Sequence, residues 1–113
     1  MKNYESLKTN KEFKSTYSLG KSYANKYLVM YVLKNNLETN RLGISVSKKV
    51  GNSVVRHRIT RLIREFFRLN QCRLKNGYDI IVIARVNSNG KNYNEIENAL
   101  NHLLLKMNLL KDV

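Results

Sequence analysis

Between Val54 and Leu69 the chain reads VVRHRITRLIREFFRL, and no other stretch limits its possible folds so strongly. At about 100° per residue, Val55, Ile59, Leu62, Ile63 and Phe66 fall on one face of a helix. His57, Arg61, Arg64 and Arg68 fall together on the opposite face, with Arg56 and Arg58 on its flanks. Such a helix must lay its apolar stripe on a core and leave its other face in water. Six of the eight arginines lie between Arg56 and Arg73, and Glu65 is the one acid among them. Like charges one turn apart repel by about 0.2–0.5 kcal/mol, so the column works against the helix that carries it. An ordinary solvated face usually mixes both signs. The pattern points instead to an anionic partner, since guanidinium groups grip phosphate bidentately and each neutralised phosphate releases counterions. Gly51-Asn52-Ser53 supplies a turn and an N-cap ahead of the helix. Lys48 and Lys49 just before it extend the basic patch, as do the free N–H groups of the helix N-terminus. His57 could serve as a general base, but with no partner it fits better as a hydrogen-bonding contact to RNA.

The charge is concentrated. The chain of 113 residues carries a formal net charge of +13. Residues 39–76 contribute +9 of it, residues 1–38 contribute +4, and residues 77–113 are neutral. Compositional bias could account for 13 scattered lysines among 16 asparagines, but not for clustered arginines. Hydrophobic content of 42% suits a globular fold rather than a disordered basic tail. The length fits a single domain over residues 1–113. Cys72 alone cannot form an internal disulfide, and the first ten residues contain no apolar signal core. The longest apolar run, Tyr27–Leu33, is strand-sized, whereas a membrane span needs about 20 residues. A small, soluble, basic cytoplasmic domain with a polyanionic partner is expected.

The remaining elements follow from periodicity and punctuation. Thr9–Leu19 is a helix, with Thr9 or Asn10 as N-cap and Gly20 as stop. Ser22–Ala24 is a short strand, Tyr27–Leu33 a strand rich in aromatic and β-branched residues, and Leu42–Ser47 an alternating half-buried strand. Tyr78–Arg85, with its Ile-Ile-Val-Ile centre, is a central strand buried on both faces. Ile96, Leu100, Leu103, Met107 and Leu110 define a last amphipathic helix from Tyr93 onward. The order α-β-β-β-α-β-α indicates an α+β fold, a two-layer sandwich of helices on one sheet.

In the strand Tyr27–Leu33, Tyr27, Val29 and Tyr31 share a face. With Phe13 and Tyr17 of the first helix that face could form an open aromatic cleft, suited to stacking single-stranded nucleic acid. Burial of all these aromatics in the core is an equal alternative. Protein-based nuclease chemistry lacks its parts. The eight acids are dispersed, Glu95 and Glu97 diverge on their helix, His57 and His102 have no ligand spacing, and no phosphate-cradling glycine motif is present. No catalytic or metal-ligating residue is therefore assigned.

Arg41-Leu-Gly-Ile-Ser-Val-Ser-Lys-Lys-Val-Gly-Asn-Ser, followed by Val54-Val-Arg-His-Arg-Ile-Thr-Arg-Leu-Ile-Arg64, closely resembles the signature of the bacterial ribonuclease P protein subunit. The similarity extends to an S-x-A-N-x-x-x-V-x-Y pattern at Ser22, Ala24, Asn25, Val29 and Tyr31, and to D-x-x-x-x-A-R at Asp79–Arg85. The resemblance covers about Leu7 to Leu110. The four strands are expected in one mixed sheet, and the resemblance implies an unusual left-handed β-α-β crossover around the arginine helix. It also implies a large catalytic RNA as partner, in a 1:1 complex that hydrolyses the phosphodiester bond at the 5′ leader of precursor tRNA. Water would be the nucleophile and Mg²⁺ ions would be held mainly by the RNA. On this resemblance Arg56, His57, Arg58, Arg61, Arg64 and Arg68 contact the catalytic RNA, with Lys48 and Lys49 extending the patch. Phe13, Tyr17, Val29 and Tyr31 line the cleft for the leader. Two positions depart from the common pattern: His57 replaces an Asn, and Thr60 stands where many relatives have Lys.

Overall fold

A computed structural model describes residues 4–111. The first strand, β1 (Tyr4–Ser6), is followed by α1 (Asn10–Leu19), β2 (Lys21–Ala24), β3 (Leu28–Lys34) and β4 (Asn40–Ser45). Then come α2 (Ser53–Asn70), a short 3-10 turn (Gln71–Arg73), β5 (Tyr78–Ala84), a second 3-10 turn (Val86–Ser88) and α3 (Tyr93–Lys106). All five strands form one mixed sheet in the order β1-β4-β5-β3-β2. The expected four-stranded sheet thus gains a fifth member, β1, which adds in parallel to the edge of β4. Three residues reading Tyr-Glu-Ser carry no alternation, so β1 is held by its neighbour rather than by its own pattern.

β5 occupies the centre as its apolar run predicts, parallel to β4 and antiparallel to β3. The connection from β4 through α2 to β5 is a parallel crossover that lays α2 on the sheet. On one face Leu28, Met30, Val32, Leu42, Ile80 and Val82 meet Ile59, Ile63, Phe66 and Phe67 of α2 and Ile96, Leu100, Leu103 and Leu104 of α3. Each such side chain contributes about 1.5–3 kcal/mol on burial, so this layer dominates stability. α1 lies across part of the opposite face, against β3 and β5, and covers Ile81. Gly43 permits that approach, because a Cβ there would stand 2.6 Å from the Phe13 ring. Gly43 on that face of β4 is buried beneath Phe13.

Caps fix the helix ends. Thr9 and Glu12 form a reciprocal capping box on α1, and the Gly20 N–H donates to the Thr16 carbonyl. The last helix is shorter than the periodicity implies. It stops at Lys106, and Asn108 takes φ 57° in a left-handed cap that turns the chain back. Leu110 then pairs across from Leu74 in an isolated bridge instead of continuing the helix.

Candidate nucleic-acid interface

Two side-chain assemblies meet around the β1–β4 edge, and each is set by the elements beneath it. The first is the exposed face of α2. Asn52 caps the helix by accepting the Val55 N–H at 3.0 Å. Buried Val50 anchors the preceding turn, its carbonyl held by the Asn89 side-chain amide at 3.0 Å, and this leaves Lys48 and Lys49 exposed beside the helix N-terminus. With Ile59, Ile63, Phe66 and Phe67 locked in the core, His57, Arg58, Arg61, Arg64 and Arg68 are exposed on the other side.

The six basic and imidazole side chains are not equivalent. Arg58 reaches away to donate to the Lys91 carbonyl at 2.7 Å. Arg68 pairs with Glu65, whose carboxyl it holds below the usual glutamate range while its own pKa rises. Arg56 is half-buried, and its Nε has no hydrogen-bond partner. Among the described residues Arg61 and Arg64 form no ion pair, so their charge is open to a ligand. Arg64 separates two grooves. One is lined by Ile44, Val46, Arg56, His57 and Thr60. The other, lined by Tyr4, Ser6, Phe13 and Gly43, leads round the sheet edge to α1.

The second assembly lies on the α1 face. Phe13 and Tyr17 have ring centroids 6.4 Å apart, and Tyr17 meets Tyr31 edge-on at 5.0 Å. Val29 shares that face of β3, with Ile83 beside it on β5. Phe13, Val29 and Tyr31 are half-buried, whereas Tyr17 is 39% exposed. The cluster is neither full core nor open platform: its rings support one another and leave one tyrosine at the surface. Burial pushes the Tyr17 phenol above its ordinary pKa, and Tyr31 beside it adds to the rise. Tyr27 does not join this face, contrary to the alternation. It precedes β3 and packs partly against the helical core on the other side.

What holds α1 over the sheet is a network that sequence spacing does not reveal. Arg41 donates to both oxygens of buried Asp79 at 2.7 Å and to Glu12 at 3.0 Å. Asn35 donates to the same Asp79 carboxylate at 2.9 Å. Asp79 and Arg41, one in each motif, were the only signal, and their register opposite each other on β5 and β4 makes them partners. Glu12 is held below the usual carboxylate range chiefly by the backbone N–H groups of Lys8 and Thr9, with Arg41 adding to the effect. Among the described residues no group of three His, Cys, Asp or Glu side chains could hold a metal ion, and no helix is long and apolar enough to cross a membrane.

The family model described as Ribonuclease P matches residues 1–108. The ribonuclease P protein component of Lachnoclostridium phytofermentans is 66% identical over 99 residues, covering 88% of this chain and 85% of its own length. That of Alkaliphilus metalliredigens is 51% identical over 110 residues, covering 97% and 99%. Among solved structures, the Staphylococcus aureus RNase P protein superposes with a TM-score of 0.88 at 38% identity, over 98% of this chain and 100% of that one. The Thermotoga maritima protein gives 0.83 at 32% identity, over 90% and 96%.

Proposed function

The chain belongs to the ribonuclease P protein family, and on that premise we propose that it is the protein subunit of a bacterial ribonuclease P. In this reading it binds the catalytic RNA of the enzyme and the 5′ leader of precursor tRNA, and it acts in the bacterial cytoplasm. The holoenzyme hydrolyses one phosphodiester bond to give the mature tRNA 5′ end. Water is the nucleophile, and Mg²⁺ is held mainly by the RNA. No step is assigned to a protein side chain.

The division of labour follows from the two assemblies. Lys48, Lys49, Arg56, His57, Arg58, Arg61, Arg64 and Arg68 are the proposed contacts to the catalytic RNA. Phe13, Tyr17, Val29 and Tyr31 are the proposed leader cleft. One protein chain in a 1:1 complex then lays positive charge between two crowded RNAs, which raises substrate affinity and lowers the Mg²⁺ requirement. The observation that carries this reading is the exposure of Arg61 and Arg64 without an acidic partner on a helix whose other side is locked in the core.

The test is the salt dependence of binding to the catalytic RNA. Each lost phosphate contact should reduce the slope of log affinity against log salt by about 0.7–0.9. Arg61→Ala combined with Arg64→Ala should therefore weaken binding and flatten the slope by roughly twice that amount. Unchanged affinity and slope would refute the ridge.

A further inference from the structure

The far end of the sheet carries a group of side chains that neither the arginine ridge nor the aromatic cleft uses. Tyr23 sits on the edge strand β2, whose four residues are all exposed, and is itself 42% exposed. Its ring lies 6.0 Å from the imidazole of His102 on α3, and the Lys106 ammonium is 5.9 Å from its centroid. Asn25, one of the residues carrying the family resemblance, orients the imidazole from behind. Its Oδ1 accepts the N–H groups of Tyr27 and Leu28, which makes Nδ2 the donor end. Nδ2 donates to the Ala99 carbonyl at 3.0 Å and meets His102 Nδ1 at 3.2 Å. In the neutral ring the proton therefore sits on Nε2. Arg85, from the second matching motif, donates to the Asn25 carbonyl at 2.8 Å. Beside His102 a shallow depression runs along Asn25, Lys26, Tyr27 and Asn98. Lys26 and Lys91 lie 5.8 and 5.3 Å from the Tyr27 ring.

This surface sets Lys26 and Lys91 by the Tyr27 ring and Lys106 by the Tyr23 ring, and its carboxylate, Glu95, already faces Lys91 at 3.9 Å. Residues 77–113 are neutral as a sequence, but Asp79 is turned inward to Arg41 and the turn after β2 brings Lys26 alongside. Exposed lysines over tyrosines stabilise a fold only weakly. An accessible aromatic ring, an oriented imidazole and several cations together match the needs of a nucleotide, a face for the base and charge for the phosphate. We propose that the β2–α3 surface is a second RNA-binding site. It takes an unpaired nucleotide whose base stacks on Tyr23 beside His102 and whose phosphates meet Lys26 and Lys106. β1 and β2 are opposite edges of the sheet, so this site and the Arg64 groove can be filled at once. The inference rests on the chain binding RNA, not on which residues form the ridge or the cleft.

A single-stranded RNA octamer bearing thiouridine, photocrosslinked to the full-length chain at low salt, tests it by peptide mapping. Crosslinks to peptides containing Tyr23 or His102 are expected besides those near α1 and α2. Tyr23→Ala should reduce them about five-fold or more, the weak end of base–aromatic stacking, whereas Tyr23→Phe should retain them. Lys26→Ala with Lys106→Ala should also reduce them, which provides a second handle if Tyr23→Ala loosens the edge strand. No crosslink at these peptides, or none that responds to these substitutions, would overturn the proposal. So would displacement of the octamer from these peptides by polyglutamate as readily as by polyuridylate, which would indicate an acidic protein partner. Loss of the α1 and α2 crosslinks alone would count against the proposed function and leave this site standing.

Discussion

Arg41 pairs with two acids, which none of the arginines on α2 does among the described residues, although it lies outside their cluster. Its guanidinium closes a bidentate pair with Asp79, which is 3% exposed, and extends to Glu12 on the helix above. Arg41→Ala would leave a buried carboxylate with the Asn35 amide but no cation, and a loss of about 3 kcal/mol is expected, measured as a shift in urea denaturation. Arg41→Lys should rescue little of it, because an ammonium cannot reproduce the planar fork. Glu12 makes the same region sensitive to acid. Its folded pKa is lowered, so its contribution is fully present above the ordinary glutamate value and is lost as pH falls through the folded one. Between about pH 7 and pH 3 the urea midpoint should fall further for the natural chain than for Glu12→Gln. Little of this was legible beforehand. The acids look dispersed in sequence, and only the β4–β5 register brings Asp79 to Arg41. The cations of α2 were legible as a face, but not that Arg58 and Arg68 turn to protein partners while Arg61 and Arg64 do not.

At the scale of elements, helices read well because each joins an apolar stripe to a capping residue at its start. The Thr9 and Asn52 caps and the buried faces of α2 and α3 follow from local sequence. Failures occur where tertiary contacts decide. β1 exists only as an addition to β4, and α3 ends where a left-handed asparagine, not a glycine, reverses the chain. Tyr27 leaves its predicted face because β3 begins one residue later. The pairing of α1 with β3 is what turns Tyr17 and Tyr31 into one assembly, and it yields a selective prediction. Under the proposed function, Tyr17→Ala or Tyr31→Ala should weaken precursor tRNA binding about five-fold or more, the weak end of base stacking, and spare mature tRNA. Fluorescence titration of the reconstituted enzyme with both tRNAs checks this. Equal losses for both, with an intact fold by circular dichroism, would assign these rings to packing alone.

For the molecule as a whole, the sheet acts as a partition. α2 and α3 complete the main core on one side, α1 holds the aromatic cluster on the other, and the groove at Arg64 and Phe13 joins the two sides around one edge. Under the proposed function, a net charge of +13 serves more than one polyanion at a time, with +9 of it in residues 39–76. A ribosomal or chaperone-like RNA binder would share the charge and the fold, while a self-sufficient nuclease would cleave alone. Incubation of precursor tRNA at low Mg²⁺ with the protein, with the ribonuclease P RNA, and with both separates these possibilities. Release of the 5′ leader only in the mixture is the predicted result. Cleavage by the protein alone, or a mixture no more active than the RNA by itself, would contradict it.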